Sequence, residues 1–212
     1  MTPLGLLGGT FDPIHQGHLD VALAARRALD LPSVLVMPSR VPPHRRPPHA
    51  SPADRLAMVE EAVKHHEGLV ASALEIEAAG DTAPSYTSAT LDRLAVRFDL
   101  TWLYFITGAD AFLDIRTWKH FPAILDRCHF VAVSRPGRSA AELPALLPEL
   151  AGRMSMPSSG HPAVPTIFLV DAPTAPVSST IIRERIQKGE SIESMVPAGV
   201  ATYIAQHRLY KD

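Results

Sequence analysis

Short apolar runs alternate with longer segments of helical periodicity along this chain of 212 residues. Residues 4–7 form the first run and residues 101–107 form the strongest, and a glycine is the next residue after each of them. Short continuous runs of this kind are typical of strands that are buried on both faces of a sheet. The alternation predicts an α/β fold: a doubly wound parallel sheet with helices on both faces, in a single domain covering residues 1–212.

The other apolar runs and periodic segments complete the predicted order of elements. Further strands are predicted over residues 33–37, 69–73, 129–133 and 166–170. Helices are predicted over residues 17–29, from Ser51 onward, over 88–98, near 117–126, over 142–154, near 178–187 and near 196–206. Ligands of such sheets bind beyond the carboxyl ends of the strands. The glycines, prolines and polar residues that follow the strands are therefore the candidates for a functional site.

Composition narrows the classes of function. The formal net charge is −2 and the pI is near 6.5, so no overall basic field would attract nucleic acid or an anionic membrane. A phosphate-binding site must then be local, built from a few residues in one cleft. The chain has no basic leader and no apolar run long enough to span a bilayer, so we expect a cytoplasmic location.

The single cysteine, Cys128, excludes an intramolecular disulfide. It directly precedes the apolar run 129–133, which is predicted to be a buried strand. A thiol in that position is more often a small core residue than a reactive group, because reactivity needs exposure and a lowered pKa. We therefore predict a core thiol at Cys128.

The segment that follows the first strand has the composition of an anion site. It begins with Gly8, Gly9, Thr10 and Phe11 and continues to His15 and His18, at the predicted start of a helix. Paired glycines allow a close backbone approach, and free amides at a helix start favour an anion. The alternative is a tight turn with two surface histidines. A zinc site is disfavoured, because Cys128 stands alone and the remaining histidines lack metal-ligand spacing.

A second segment, residues 177–183, has similar properties near the other end of the chain. Ser179, Thr180 and Arg183 lie at the predicted start of a helix. Two hydroxyls and a guanidinium fork in that position can bind phosphate oxygens. Taken alone, the serines and threonine are equally well explained as a helix cap.

Together the two segments resemble the signatures of the nucleotidyltransferases that share the His-x-Gly-His motif with class I aminoacyl-tRNA synthetases. Further segments resemble those of bacterial nicotinate-nucleotide adenylyltransferases, and the likeness extends over nearly the whole chain except residues 138–165. These segments are Pro-Pro-His-Arg at 42–45, Pro-Ser-Tyr-Thr at 84–87, Gly-Ala-Asp at 108–110, Thr-Trp at 117–118 and Ser-Arg-Pro-Gly at 134–137.

The resemblance implies a Rossmann-like, adenine nucleotide alpha hydrolase-like fold, with a C-terminal helical part at about 178–212. It implies an enzyme of NAD biosynthesis that moves AMP from ATP to nicotinate mononucleotide, with Mg²⁺ bound to ATP and no dedicated protein metal site. His15, His18 and Arg183 would be catalytic. The residues that would bind ATP are Gly8, Gly9, Thr10, Phe11, His15, His18, Gly108, Asp110, Arg135, Ser179, Thr180 and Arg183. The residues that would bind the mononucleotide are His44, Arg45, Ser85, Tyr86, Thr87 and Trp118.

Several alternatives stay open on sequence alone. Trp118 is also explained as a core residue, Asp110 as a helix cap, and His44 with Arg45 as a solvated basic loop. The rival functions are another transferase of the same superfamily, such as a pantetheine-phosphate adenylyltransferase or a glycerol-phosphate cytidylyltransferase, and a nucleotide-sensing module without turnover. Neither the nicotinate preference over nicotinamide nor the oligomeric state is fixed by the sequence, and a homodimer is compatible with it.

Overall fold

A computed structural model describes residues 2–42, 47–77, 84–158 and 160–211. Within these residues the chain forms one seven-stranded parallel sheet of order β3-β2-β1-β4-β5-β7-β6. The strands are β1 (Leu4–Gly9), β2 (Ser33–Pro38), β3 (Leu69–Ala71), β4 (Leu103–Gly108), β5 (His129–Val133), β6 (Met154–Ser155) and β7 (Ile167–Val170). The order of strands reverses between β1 and β4, which creates a crevice for ligands at their carboxyl ends. The predicted doubly wound parallel sheet is confirmed.

Helices cover both faces of the sheet. The α-helices are α1 (Gln16–Ala28), α2 (Pro52–Val63), α3 (Thr87–Ala95), α4 (Ala109–Leu113), α5 (Leu143–Leu146), α6 (Ser179–Gln187) and α7 (Ala198–Gln206). The Ser51 hydroxyl caps α2 by accepting a hydrogen bond from the Asp54 amide at 3.1 Å, as its sequence predicts. In the described part of the chain, no helix combines the length and the apolar composition that a membrane crossing needs.

The core has two halves, because successive side chains of a strand point to opposite faces. In β1, Leu7 belongs to the half that α1, α2, α6 and α7 cover, together with Ile182 of α6 and Val200 of α7. Leu6 belongs to the other half, with Leu91 of α3 and Phe112 of α4. Because α6 and α7 share a core with α1 and α2, the C-terminal part of the chain packs directly onto the elements that follow the first two strands.

Two segments that were predicted to be α-helices consist mostly of 3-10 turns. Residues 117–126 form no α-helix but two 3-10 turns, Ile115–Thr117 and Ala123–Asp126. Pro122 lies between these turns, where its missing N–H cannot support a continuous helix. In the segment 142–154 only α5 is α-helical, and a 3-10 stretch over Pro148–Arg153 follows it.

The strands differ from prediction at their edges. The strand predicted over 101–107 begins later, at Leu103, because Asp99 caps a 3-10 turn by accepting a hydrogen bond from the Thr101 amide at 3.0 Å. The two-residue strand β6 was not predicted. Its short pairing with β7 leaves no alternation that a sequence pattern could show.

The environment of Cys128 agrees with the predicted core thiol. Cys128 is fully buried and packs in the same half of the core as Leu6. Burial raises the pKa of its thiol to about 12, so the thiolate is scarcely populated near neutral pH.

Candidate active site

His15 and His18 lie side by side at the start of α1, just beyond β1. Their rings are stacked, with centroids 3.7 Å apart and planes inclined by 21°. The His15 backbone N–H donates a hydrogen bond to His18 Nδ1 at 3.3 Å. Because Nδ1 of His18 accepts this bond, Nε2 is the ring nitrogen that can donate to a ligand.

His15 is the more buried of the two histidines, with only 2% of its surface exposed. Burial, with the nearby Arg135 guanidinium as the second cause, lowers the pKa of His15 to about 3. His15 is therefore neutral at physiological pH. Its Nδ1 is buried and has no hydrogen-bond partner among the residues that the structure describes.

Gly9 and Phe11 shape the loop that leads to these histidines. Phe11 is buried and adopts a positive φ of 51°, and its ring meets the His18 ring edge-on with centroids 5.0 Å apart. A Cβ placed on Gly9 would lie 2.7 Å from a carbon of the Phe11 ring. A glycine at position 9 therefore allows the aromatic ring to rest on the end of β1 and against His18.

Arg135 connects the end of β5 to the start of α1. Its guanidinium donates to the carbonyl oxygens of Gly17 at 3.3 Å and Val177 at 3.4 Å. Its side chain also passes Gly108, where an added Cβ would approach Arg135 Cγ to 3.0 Å and would collide with the Asp110 carboxylate. Gly108, Asp110 and Arg135 are thus neighbours at the carboxyl ends of β4 and β5, and Asp110 is exposed there.

The second motif meets the first in space. The Ser179 hydroxyl donates to the carbonyl oxygen of Pro13 at 2.9 Å, across 166 positions of sequence. Arg183 donates through Nη1 to the carbonyl oxygen of Asp12 at 2.7 Å and through Nη2 to the Thr180 hydroxyl at 3.3 Å. The serine that caps α6 is Ser178, which accepts from the Ile181 amide. Ser179, Thr180 and Arg183 are therefore not explained by capping alone.

An open cleft lies beside Arg135, between the loops that follow β5 and β7. Its volume is about 610 Å³. Its lining residues include Ser134, Arg135, Arg138, Asp171 and Thr174. The Ser134 hydroxyl donates to the Asp171 carboxylate at 2.6 Å, which ties the two loops together. Arg135 is thus one of several polar residues that line this cleft.

The residues predicted to bind the mononucleotide lie around the start of α3. The Ser85 hydroxyl accepts hydrogen bonds from the amides of Arg40 and Val41 at 3.1 and 3.2 Å, which holds it beside the end of β2. Tyr86 is the residue before α3, and Thr87 is the first residue of the helix.

Tyr86 and Trp118, the two aromatic residues predicted to bind the mononucleotide, each contact a neighbouring side chain. The Lys119 ammonium lies 4.8 Å from the centre of the Tyr86 ring. Trp118 is partly buried and meets Phe105 edge-on, with ring centroids 5.7 Å apart. Trp118 therefore packs on the core while part of its ring stays accessible. The other two predicted residues, His44 and Arg45, lie outside the described residues.

Three buried polar residues that the sequence did not single out hold these loops in place: Asp12, Arg55 and Tyr210. Asp12 lies inside the first motif, and that position was the one available signal for it. Nothing local distinguishes Arg55 from other arginines on an amphipathic helix, nor Tyr210 from an ordinary surface tyrosine.

A metal site built from protein ligands does not emerge from the described ranges, in which no three His, Cys, Asp or Glu residues are grouped to hold an ion. The polar groups at the site are mostly imidazoles, amides and guanidinium groups. This donor set suits an anion better than a bare divalent cation.

Comparison with known proteins gives the same picture as the geometry. The family model described as cytidylyltransferase-like matches residues 6–185. A protein of Synechococcus sp. (strain JA-3-3Ab), described as a probable nicotinate-nucleotide adenylyltransferase, is 40% identical over 99% of this chain and 95% of its own length. A protein of Roseiflexus sp. (strain RS-1) with the same description is 40% identical over 99% of this chain and 98% of its own.

Solved structures agree at the level of the fold. Plasmodium falciparum nicotinic acid mononucleotide adenylyltransferase, complexed with APC, superposes with a TM-score of 0.72 at 18% identity, over 99% of this chain and 98% of that one. Its complex with NaAD gives the same TM-score. With the sequence relatives at 40% identity over nearly their full length, this chain belongs to the nicotinate-nucleotide adenylyltransferase family of cytidylyltransferase-like proteins.

Proposed function

We propose that this chain transfers the AMP part of ATP to the 5′-phosphate of nicotinate mononucleotide, giving nicotinate adenine dinucleotide and pyrophosphate in NAD biosynthesis. The observation that carries the proposal is the convergence of the two motifs. Ser179 and Arg183 hydrogen-bond to the loop that leads to His15 and His18. The names of the sequence relatives support the choice of substrates.

The proposed chemistry needs no general base. The acceptor phosphate is already anionic near neutral pH, so it can attack the α-phosphorus of ATP in line. The protein's task is then to position the two phosphates and to neutralise charge that builds up on the α-phosphate and on the leaving pyrophosphate. His18 Nε2 would donate to the α-phosphate, with the neutral His15 ring stacked behind it.

The charges for the leaving group would come from arginines. Arg183, with the Ser179 and Thr180 hydroxyls, would hold the β- and γ-phosphates, and Arg135 would contact the phosphates more loosely. Both guanidinium groups are anchored to backbone carbonyls, through Asp12 for Arg183 and through Gly17 and Val177 for Arg135. Anchored donors lose little freedom when phosphate binds, which favours preorganised stabilisation of charge.

The two substrates would approach from opposite sides of the histidines. The open cleft beside Arg135 would take the adenosine of ATP, with Gly108 and Asp110 near its ribose. Gly8, Gly9, Thr10 and Phe11 would border the phosphates at the end of β1. This arrangement leaves the β2 and β3 side of the crevice for the mononucleotide.

On that side, the start of α3 would recognise the acceptor. Helix α3 begins at Thr87, and first-turn amides lack intrahelical acceptors and can bind a carboxylate. Trp118 would stack on the pyridine ring, while Ser85 and Tyr86 would hold the approach to the helix. His44 and Arg45 would contact the mononucleotide phosphate.

Mg²⁺ would enter as the ATP complex. The donor set described above offers the ion no cage within the described residues, so the phosphate oxygens and water would be its ligands. Bound in this way, the ion would offset negative charge on the triphosphate. Identification of Mg²⁺ as the ion, a cytoplasmic location and a homodimer stay predictions.

Pyrophosphate release from purified protein with ATP and Mg²⁺ tests the reaction. We expect release with nicotinate mononucleotide to be at least about tenfold more efficient than with nicotinamide mononucleotide, because helix amides favour a carboxylate over a neutral amide. Comparable rates would keep adenylyl transfer but exclude acid selectivity. ATP binding without release would favour the nucleotide-sensing alternative and contradict the proposal.

His18→Ala tests the central role. We expect turnover to fall by about a hundredfold or more while the Michaelis constant for ATP changes little, because the lost hydrogen bond is one that strengthens in the transition state. His65→Ala is the matched control, since His65 is exposed and lies after α2, away from the crevice. Near-normal turnover of the His18 variant would exclude this role.

A further inference from the structure

Asp12 is a buried carboxylate at the centre of a hydrogen-bond network behind the histidine loop. Its Oδ1 accepts from the Ala50 amide at 3.0 Å and from the Tyr210 hydroxyl at 2.9 Å. Its Oδ2 accepts from the His49 amide at 2.8 Å, and its backbone carbonyl accepts from Arg183. One buried residue of the first motif therefore connects three separate parts of the chain.

Arg55 of α2 makes a second set of connections to the same loop. It is completely buried, and its Nη1 donates to the carbonyl oxygens of Thr10 at 2.7 Å and Ser39 at 2.6 Å. Its Nη2 donates to the carbonyl oxygen of Arg40 at 3.1 Å. Burial lowers the pKa of Arg55, while the nearby Asp12, Tyr210 and Glu75 act in the opposite direction. A buried guanidinium is costly unless its donors are used, and here Nη1 and Nη2 donate to three carbonyl oxygens, whereas Nε has no partner among the described residues.

The two sets of contacts act on both ends of one segment. Arg55 ties residues 39 and 40 to Thr10, and Asp12 ties residues 49 and 50 to itself. The stretch between these anchors contains His44 and Arg45, which are proposed to contact the mononucleotide. Residues 10–12 are therefore joined to residues 39–40 and 49–50, which flank that stretch in the sequence, and a few positions later the same loop reaches His15.

Tyr210 completes the network from the C-terminal part of the chain. Its ring is buried in the half of the core under α1 and α2, and only 7% of the residue is exposed. Burial and the adjacent Asp12 carboxylate raise the pKa of its hydroxyl far above the ordinary value, so the group stays a donor at any pH of interest. Its hydroxyl, four residues beyond the end of α7, donates to Asp12 Oδ1 at 2.9 Å.

We propose that Asp12, Arg55 and Tyr210 are positioning residues that fix the histidine loop relative to residues 39–40 and 49–50 and to Arg183. Tyr210 thereby affects turnover without touching either substrate. The inference rests on the proposed function, because it concerns the alignment of the acceptor phosphate with the α-phosphate. In-line displacement is sensitive to such alignment, since a shift of about 1 Å can cost about a hundredfold in rate.

The test is Tyr210→Phe, which removes one hydroxyl and keeps the buried ring. We expect turnover to fall about five- to twentyfold, with little change in the Michaelis constant for ATP alone. Tyr203→Phe is the matched control. Tyr203 lies in α7 and also donates to an aspartate, Asp54 of α2 at 3.0 Å, which is not one of the residues proposed to position the histidine loop. Its turnover should match that of the wild type.

Three readouts separate positioning from simple stabilisation. Rates are measured well below the unfolding temperature of each variant, where a purely structural role would leave turnover per folded molecule unchanged. Asp12→Asn is measured as a second variant in case Tyr210→Phe does not fold, because it replaces one acceptor oxygen by an NH2 donor and so disturbs the contacts with Tyr210 and Ala50 or with His49. In the variant that carries both Asp12→Asn and Tyr210→Phe, the combined loss of turnover should be smaller than the two single losses taken together, because both changes act on one hydrogen-bond network.

The outcomes are distinct. An inactive wild type would contradict the proposed function and not this inference. An active wild type with a fully active, folded Tyr210→Phe variant would overturn the inference and leave the function intact. Equal losses for Tyr210→Phe and Tyr203→Phe would also overturn it, because the effect would then belong to the C-terminal part of the chain in general. If Tyr210→Phe does not fold, full activity of Asp12→Asn would overturn the inference instead.

Discussion

Gly9→Ala offers a sharp check on how the fold builds the histidine site. The backbone of Gly9 does not lie in the left-handed region, so an alanine fits its dihedral angles. The added Cβ would, however, lie 2.7 and 2.8 Å from two carbons of the Phe11 ring. Favourable carbon contacts lie at about 3.5–4.0 Å. The ring must therefore move by about 1 Å, and it is enclosed because Phe11 is buried.

Two effects should follow from this displacement. Overpacking of a buried ring typically costs about 1–3 kcal/mol in the free energy of unfolding. Because the Phe11 ring meets His18 edge-on, the histidine should be displaced as well, and we expect turnover to fall about ten- to a hundredfold. The two measurements are urea unfolding at equilibrium and pyrophosphate release at saturating substrates.

Gly8→Ala is the control for the unfolding measurement. A Cβ at Gly8 would meet the Phe105 ring at 3.6 and 3.9 Å, which is ordinary contact. The free energy of unfolding of this variant should stay within about 0.5 kcal/mol of the wild type. If Gly9→Ala is as stable as Gly8→Ala and turns over like the wild type, the Phe11 ring does not support His18 and the reasoning is refuted.

Two further predictions concern buried titratable groups. Burial lowers the pKa of His15 to about 3 and that of His129 to about 4, whereas an unfolded histidine has a pKa near 6.5. Between those values the unfolded chain binds protons that the folded chain does not, so the free energy of unfolding should fall as pH falls from about 6.5 to 4, by up to about 1.4 kcal/mol per pH unit for each histidine. Urea unfolding at pH 7 and pH 5 measures this change in the free energy of unfolding, which should depend less on pH in His129→Gln than in the wild type. An unchanged pH dependence in that variant would contradict the lowered pKa of His129. Cys128 should resist a thiol reagent in the native protein and react fully after unfolding in guanidinium chloride, because its thiol is buried; rapid native labelling would show that the site opens.

The regular part of the fold could be predicted because burial leaves a local trace in sequence. The strand predicted over 129–133 is observed as β5 with the same bounds, and the helix predicted over 17–29 is observed as Gln16–Ala28. A strand inside a parallel sheet is apolar on both faces, so its run of residues identifies it without neighbours. The structure of the segment 138–165 was not predicted correctly, because its prolines and short turns follow no single period.

The same distinction between local patterns and long-range contacts applies to the candidate site. The two motifs were predicted to bind phosphate, and they do meet in space, since strand ends and helix starts concentrate such groups at one edge. The residues that hold the two motifs in place could not be predicted from the sequence. Arg55 contacts Thr10 across 45 positions and Tyr210 contacts Asp12 across 198, and contacts at such distances leave no spacing that a single sequence can show.

The electrostatics of the site also depend on this long-range packing. His15 is neutral because it is buried and faces Arg135, and both facts arise from the way β5 lies near the start of α1. In the proposed reaction, Arg135 and Arg183 would supply the permanent positive charge, and His18 would contribute a hydrogen bond. Such a division suits the transfer of a phosphoryl-type group, because charge builds up on oxygens that arginine forks can match, and a neutral imidazole can donate without adding repulsion between neighbouring cations. It follows that the loop around Asp12, whose backbone carbonyl accepts from Arg183, should influence the reaction by positioning that arginine, with a smaller effect on turnover than the loss of His18.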